Sequence, residues 1–436
     1  MNIPALSKKA RQIVCILSVF LLFIPKINLV QIGGETAGLR FDDLLLGLFF
    51  LFLVAGMLLA RKASFNRLEL LWALLVGTGL ISNGINLYLF NRSSGLYSLR
   101  LVEYFLFFYA GYYYAISNSL TRLAKWLLIV NGSVMLLQQV GLIGAATSDG
   151  LVSSVQERPV GLTGGPWEIG AIINFCFAIL IFDDNRAIRR KYVLWLFAGT
   201  MTLVLITASR MALIAQLLLL TIYFYRKSRN AFRFISIAIS ALAMILAALI
   251  FIPNPVAARS ENLFTIDNFS SFQRIYASTP DNPQVEGLAS FASDDGGDLS
   301  WLIRAAKWTA AIKGWNRSFL SIIFGVGPGA LGPSLDGGWL RILSEMGVAG
   351  FLIFSIFCRY IAVQFGWQMR GVLLALSTSM LMIDIHIAYK AMSTFFFILG
   401  YCYYAKIAPI SHKEVKRFPV FHEDLRHINL ADPLVR

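Results

Sequence analysis

The sequence predicts an all-α membrane protein: a bundle of about twelve transmembrane helices with one long external loop. Three observations predict it. First, 57% of the 436 residues are hydrophobic and 14% are charged, where a soluble domain has about 25% charged residues; the mean hydropathy is +0.67. Second, the apolar residues fall in blocks of about twenty, the length a helix needs to cross a bilayer core of roughly 30 Å. Third, Lys and Arg gather in alternate connections between those blocks, as the positive-inside rule requires. One bundle accounts for the chain better than several domains. Residues 1–252 carry nine spans, 253–338 form the long external loop, 339–406 carry three more spans, and 407–436 form a cytoplasmic tail.

The first block follows Lys8, Lys9 and Arg11 and runs past Phe23. A signal peptide has the same charge order, but no small-x-small cleavage site follows, so this reads as an uncleaved helix. The apolar spans are roughly 12–30, 42–60, 68–90, 100–117, 123–145, 167–182, 192–208, 211–225, 233–252, 339–358, 371–388 and 391–406. Arg61, Lys62 and Arg67 fall on the cytoplasmic side, as do Arg122 and Lys125, the Arg186–Lys191 cluster, and Arg226, Lys227, Arg229 and Arg233. The tail adds Lys406, Lys413, Lys416 and Arg417, which puts both termini inside. The net charge of +14 belongs to this bias and not to a nucleic-acid-binding stripe. Cys15, Cys176, Cys358 and Cys402 all lie in or beside apolar segments. They read as packing residues, with no disulfide framework and no metal-ligand spacing. No metal or cofactor is expected. No repeat of solenoid period and no twofold transporter repeat stands out.

Two external segments are too long to be turns. The first, 146–166, contains GLVSSVQERPVGLTGGPWEIG. The second, 253–338, opens on Pro253 and Pro255, which end the preceding helix, and is then polar, with Asp281, Glu286, Asp294, Asp295 and Asp298. Loops of this length are functional or disordered; 277–297 reads as mobile and 298–315 as ordered. Asp298 can cap a helix on which Trp301, Arg304, Trp308 and Trp315 recur at helical spacing. Tryptophan favours the headgroup level, so this short helix is expected along the outer interface, with Arg304 near a lipid headgroup.

By this topology Arg158, Arg210, Arg304 and Arg341 all lie at or near the outer face. Arginine at bilayer depth costs roughly 2.5–3.5 kcal/mol and points to a function with a partner, and a planar guanidinium suits bidentate binding of phosphate. The blander reading is that arginines at helix ends snorkel, and that Arg341 simply pairs with Glu345 four residues on. Asp336, in PSLDGGWL, either caps the following helix or positions and deprotonates a hydroxyl. Glu345 and Glu168 are intramembrane or nearly so, and either can partner an arginine; the Gly164-Gly165-Pro166-Trp167 run before Glu168 shapes a re-entry into the next span. The loop Gly325-Val326-Gly327-Pro328-Gly329 lacks the Lys-Ser/Thr of a P-loop and reads as a tight turn near a ligand. Asp384 and His386, toward the outer end of the 371–388 span, read equally as structural or functional. None of the four histidines (His386, His412, His422, His427) lies in either long external loop.

Three of these features together resemble the bacterial O-antigen polymerase (Wzy-type) and O-antigen ligase superfamily. They are Ser209-Arg210 between two spans; a long loop ending in Arg304, a Trp-rich helix and the Gly325–Gly329 turn; and the following span with Asp336, Trp339, Leu340, Leu343, Glu345, Gly347 and Gly350. They cover about a third of the chain. The resemblance implies a GT-C-like fold and metal-independent, inverting glycosyl transfer from an undecaprenyl-diphosphate-linked oligosaccharide at the outer face of the plasma membrane. On it, Arg210 matches the family's arginine between spans and Arg304 its loop arginine; these two, with Asp336 from the reading of the residues above, are the expected catalytic residues. Arg158, Arg341, Glu345, Glu168, Trp301 and Trp308 are expected to bind substrate. Membrane lipid and a chain-length regulator protein are the expected partners. The ligase branch typically has a histidine in the loop or at the span entry, where this chain has Asp336 and no loop histidine, and often an asparagine where it has Gly337; the departure favours a polymerase. The alternatives are a ligase moving the glycan to lipid A-core, and a lipid-linked oligosaccharide flippase. A transporter places charges along a midplane path, whereas these residues lie on one side, Glu103 excepted.

Overall fold

The computed structural model of the protein describes residues 8–25, 28–31, 38–40, 43–51, 66–90, 95–147, 150–153, 158–183, 190–227, 266–279, 299–332 and 334–407. The expected spans at 233–252 and over most of 42–60, the 280–298 stretch with Asp298, and the tail from 408 lie outside them. Among the described residues the apolar blocks are helices. In chain order these are α1 (Lys8–Phe23), α2 (43–51), α3 (Arg67–Phe90), α4 (Gly95–Ala115), α5 (Leu120–Gln139), α6 (Pro166–Ile181), α7 (Arg190–Ile206) and α8 (Arg210–Lys227). Then follow α9 (Ile266–Ser278), α10 (Leu299–Trp315), α11 (Phe319–Phe324), α12 (Gly338–Gln364), α13 (Trp367–Ser379) and α14 (Tyr389–Ile407). Two small antiparallel hairpins, Asn28–Gln31 with Gly38–Arg40 and Ala145–Thr147 with Gly150–Val152, are the sheets described. Among the described residues three helices, Arg67–Tyr88, Leu120–Gln139 and Gly338–Gln364, are long and apolar enough to cross a membrane. Apart from the hairpins the described elements are helical, as in a helical membrane protein.

Several expected boundaries move, each for a local reason. The 123–145 span ends as α5 at Gln139, because the chain turns at Gly141 with φ +74°. The 371–388 span is α13 ending at Ser379, followed by a 3-10 turn at Ile385–Ile387; Asp384 and His386 therefore sit in the connection after α13, His386 within that turn. The 339–358 span is the 27-residue α12, broken at Gly347, where φ is +67° and ψ −172°. The long loop is largely helical where it is described, as α9, α10 and α11.

Side-chain contacts orient the helices relative to one another. Trp367 at the start of α13 packs on Phe182 after α6 and lies under Arg226 at the end of α8. Thr121 at the start of α5 donates to Asp183, and Lys406 near the end of α14 donates to Gln364 of α12. These residues mark one end of the bundle. The starts of α6, α8, α12 and α14 and the end of α13 therefore lie at the opposite end. The end of α1 joins them, since its Leu21 carbonyl accepts from Lys390 Nζ.

The core is aromatic. Trp72, Phe105, Phe108, Phe357 and Phe396 meet in stacked, tilted and edge-to-face contacts across four helices. Helices α4 and α14 approach closely, through glycine on each side: a methyl group at Gly111 would collide with the Phe397 carbonyl, and one at Gly400 with the Phe108 carbonyl. Small residues permitting backbone contact are the usual means of helix association in lipid. Outward faces keep large apolar side chains exposed, Ile16, Leu48 and Trp195 among them, as a lipid-facing surface requires.

Candidate functional site

The end of the bundle opposite Trp367 gathers most of the residues singled out from the sequence. It has two corners. The first is built by α10, the segment before α12, and the α13–α14 connection. Arg304 on α10 is brought to Asp336 because α10 packs on α12 and Trp308 ties it down: the indole N–H donates to the carbonyls of Leu335 (3.1 Å) and Asp336 (3.2 Å). Arg304 Nε then donates to Asp336 Oδ2 at 3.2 Å, with the two side chains 23% and 30% exposed. Ser334 Oγ donates to the other Asp336 oxygen at 2.9 Å. Among the described residues no further partner is seen for the terminal nitrogens of Arg304, so the fork of its guanidinium remains for another acceptor.

Asp336 has φ +59°, a left-handed backbone that Asp tolerates better than most residues but that still costs energy. Asp384 holds it there. Its carboxylate accepts the backbone N–H groups of Leu335 (2.5 Å), Asp336 (3.2 Å) and Gly337 (3.0 Å). It also accepts from Arg341 Nη1 at 2.9 Å. Burial opposes the charged form of Asp384, yet the Arg341 guanidinium, the His386 ring and the amides of Gly337 and Leu335 outweigh it and hold the carboxyl below its usual range. Asp336 does not cap α12; Gly337 stands at that position, without a side-chain cap.

Arg341 is fully buried. Its Nη2 donates to the Gly332 carbonyl at 2.7 Å and lies 3.0 Å from Glu345 Oε1, so the guanidinium faces two carboxylates and a loop carbonyl inside the protein. The pairing of Arg341 with Glu345 is thus observed, with Asp384 as a second partner. The glycine loop also turns inward. The break at Gly347 frees the Ser344 and Glu345 carbonyls from helical bonds, and the N–H groups of Val326 and Gly327 take them at 2.9 Å each. Ser82 Oγ on α3 donates to the same Glu345 carbonyl at 2.5 Å. Backbone groups at membrane depth need internal partners, and the Gly325–Gly327 turn supplies them: a side chain at Gly325 would collide with the Glu345 backbone.

The second corner is the α7–α8 elbow. The chain turns between Ile206 and Arg210 through Ala208, with φ +52°, and Arg210 opens α8. Arg158 is brought to this elbow, its Nε donating to the Thr207 carbonyl at 3.4 Å. The loop that carries it is stitched into the bundle: Gln138 Oε1 accepts the Val160 and Gly161 N–H groups, and Asn131 Oδ1 accepts that of Leu162. Glu168, buried in the first turn of α6, accepts the N–H of Gly164 with one oxygen and those of Lys390 and Ala391 with the other. Its hydrogen bonds are to backbone, shaping the re-entry at Gly164–Trp167 and capping α14, a helix N-terminus where a carboxylate is favourable.

The structure therefore brings Arg304 to Asp336, Arg341 to Glu345 and Asp384, and Arg158 to the elbow of Arg210. Trp308 braces the Leu335–Asp336 backbone, and Trp315 donates to the Ile322 carbonyl; these indoles serve the protein's own backbone where the sequence suggested a headgroup. The side chain of Trp301 lies outside the described residues. Three residues were missed. Gln138 and Asn131 look like ordinary interior amides in sequence, and their loop partners are 22–31 positions away. Lys390, buried at the start of α14, donates to the Leu21 carbonyl at 2.6 Å; a lysine at the edge of an apolar block was its only signal. Among the described residues no group of three His, Cys, Asp or Glu is placed to hold a metal ion. No family model matches the chain, and no curated protein is significantly similar to it.

Proposed function

We propose that the protein is a glycosyltransferase of the bacterial plasma membrane. It joins undecaprenyl-diphosphate-linked oligosaccharide repeat units into a surface polysaccharide (O-antigen, capsule or exopolysaccharide) at the outer face, using a bundle of about twelve spans with both termini inside. The observation that carries this reading is the Arg304–Asp336 pair. A carboxylate orients the guanidinium through Nε and leaves its fork for a phosphate, the geometry in which arginine binds an oxyanion bidentately. Arg158 and Arg210 at the same end of the bundle add positive charge for the second phosphate. Arg341, Glu345 and Glu168 support the site from within.

In this reading the growing chain on its lipid diphosphate is the donor. A hydroxyl of the next lipid-linked unit attacks the anomeric carbon, and the bond from that carbon to the phosphate oxygen breaks. The diphosphate leaves with the electron pair, its charge met by Arg304 and Arg210. The hydroxyl proton passes to Asp336, which is partly exposed and already shares Arg304. The carbon inverts. A chain-length regulator would contact the external loop.

The test is gel profiling of surface polysaccharide from a strain lacking the gene, complemented with wild type, Arg210→Ala or Arg304→Ala. The reading expects a wild-type ladder and, in both variants, collapse to one repeat unit on the acceptor. Long chains that accumulate on the lipid carrier and never reach the acceptor would indicate a ligase. Repeat units trapped on the cytoplasmic face would indicate a flippase.

A further inference from the structure

A small cavity lies beside the Asp384–Arg341 network, at the same end as the Arg304–Asp336 pair. Leu101 of α4, Pro328 of the glycine loop and Ile342 and Met346 of α12 give it apolar walls; Glu345 and His386 give it polar ones. Its volume of about 20 Å³ holds one water-sized group. His386 is 7% exposed, its Nδ1 is buried without a hydrogen-bond partner, and neither ring nitrogen bonds to any described residue. A buried imidazole left this way is costly, so it calls for a partner that the described residues do not provide.

The charges around the cavity restrict that partner. Arg341 is already faced by Asp384 at 2.9 Å and by Glu345 at 3.0 Å. A further anion would meet two carboxylates, and a further cation would meet the guanidinium. A neutral group that both donates and accepts, and that is no larger than a water, suits an imidazole and a carboxyl together. We propose that this cavity takes one hydroxyl of a neutral sugar, the acceptor end of the incoming unit, and that His386 and Glu345 are its binding residues. The choice of sugar rests on the polymerase reading; the hydroxyl-sized polar cavity does not.

The test uses the full chain in lipid nanodiscs with ¹⁵N-labelled histidine. His412, His422 and His427 are changed to Gln, which leaves His386 as the only imidazole. The probe is the repeat-unit oligosaccharide freed from its lipid by mild acid. We expect a saturable shift of the His386 signals that Leu101→Trp, filling the cavity, abolishes. We also expect His386→Asn to raise KM for the acceptor roughly tenfold, the scale of one buried hydrogen bond, with kcat little changed. His386 signals unmoved at saturating oligosaccharide would overturn the proposal and leave water as the occupant. If the same protein still polymerises lipid-linked units, only the cavity assignment falls; if the deletion strain makes normal polysaccharide, the polymerase reading falls and the signal shift still decides the cavity.

Discussion

At the scale of the residue, exposure divides the charged side chains into two kinds. Arg304 and Asp336 are partly exposed and paired; Arg341 is fully buried and paired twice. The two arginines should therefore fail differently. Arg304→Ala should leave folding intact and cut polymerisation by about 10²-fold or more, the scale of losing one preorganised oxyanion donor. Arg304→Lys should recover little, because an ammonium has no fork. A turnover assay beside a thermal melt separates the two effects. Arg341→Ala should instead destabilise the protein by roughly 3–5 kcal/mol, since it strands two buried carboxylates, and its loss should show first as lowered membrane abundance. At this scale the sequence was partly legible. The spacing of Arg341 and Glu345 announced their pairing, and Asp336 stood out before an apolar block. The role of Asp384 was not legible, because its partners lie 43 to 49 positions away.

At the scale of the element, glycine and broken helices define the site. The sequence marked Gly325–Gly329 as a tight turn, but not what it turns toward. Its amides satisfy carbonyls that α12 loses at Gly347, and neither half of that exchange makes sense without the other. Gly347→Ala is expected to destabilise the protein by about 1–3 kcal/mol: the backbone there has φ +67°, and the added methyl meets the Ile323 carbonyl. Gly111→Ala should cost at least as much, by forcing α4 from α14. Both are measurable by unfolding in mixed detergent micelles, and an unchanged midpoint for either would contradict the packing described here. Helix boundaries were legible where a long apolar block met a charge, as at Arg67 and Lys227. They were not legible at 380–388, where the chain stays apolar after the helix has ended and only the hydrogen bonds of Asp384 show the break.

At the scale of the whole molecule, the side-chain contacts define two ends of the bundle. Arg122, Arg226 and Lys406 share the end of Trp367, and the paired arginine sites lie at the other. This predicts the outcome of cysteine labelling in a chain whose four native cysteines are replaced. Ser153→Cys should react with a membrane-impermeant maleimide in intact spheroplasts, and Asn118→Cys only after permeabilisation. Both positions are exposed and lie at opposite ends of the bundle. The reverse pattern would put the arginine site on the cytoplasmic face and remove the reason for a lipid-diphosphate donor arriving from outside.

The central claim is that this chain, by itself, forms glycosidic bonds between lipid-linked units. Its most direct test is reconstitution of the purified protein in lipid vesicles with its lipid-linked repeat unit as sole substrate. The products are then resolved by gel and mass spectrometry. A ladder of lipid-linked oligomers with release of the lipid diphosphate is expected, lost with Arg304→Ala although that variant melts like the wild type. Repeat units that cross the bilayer unchanged, with no oligomer formed, would contradict it.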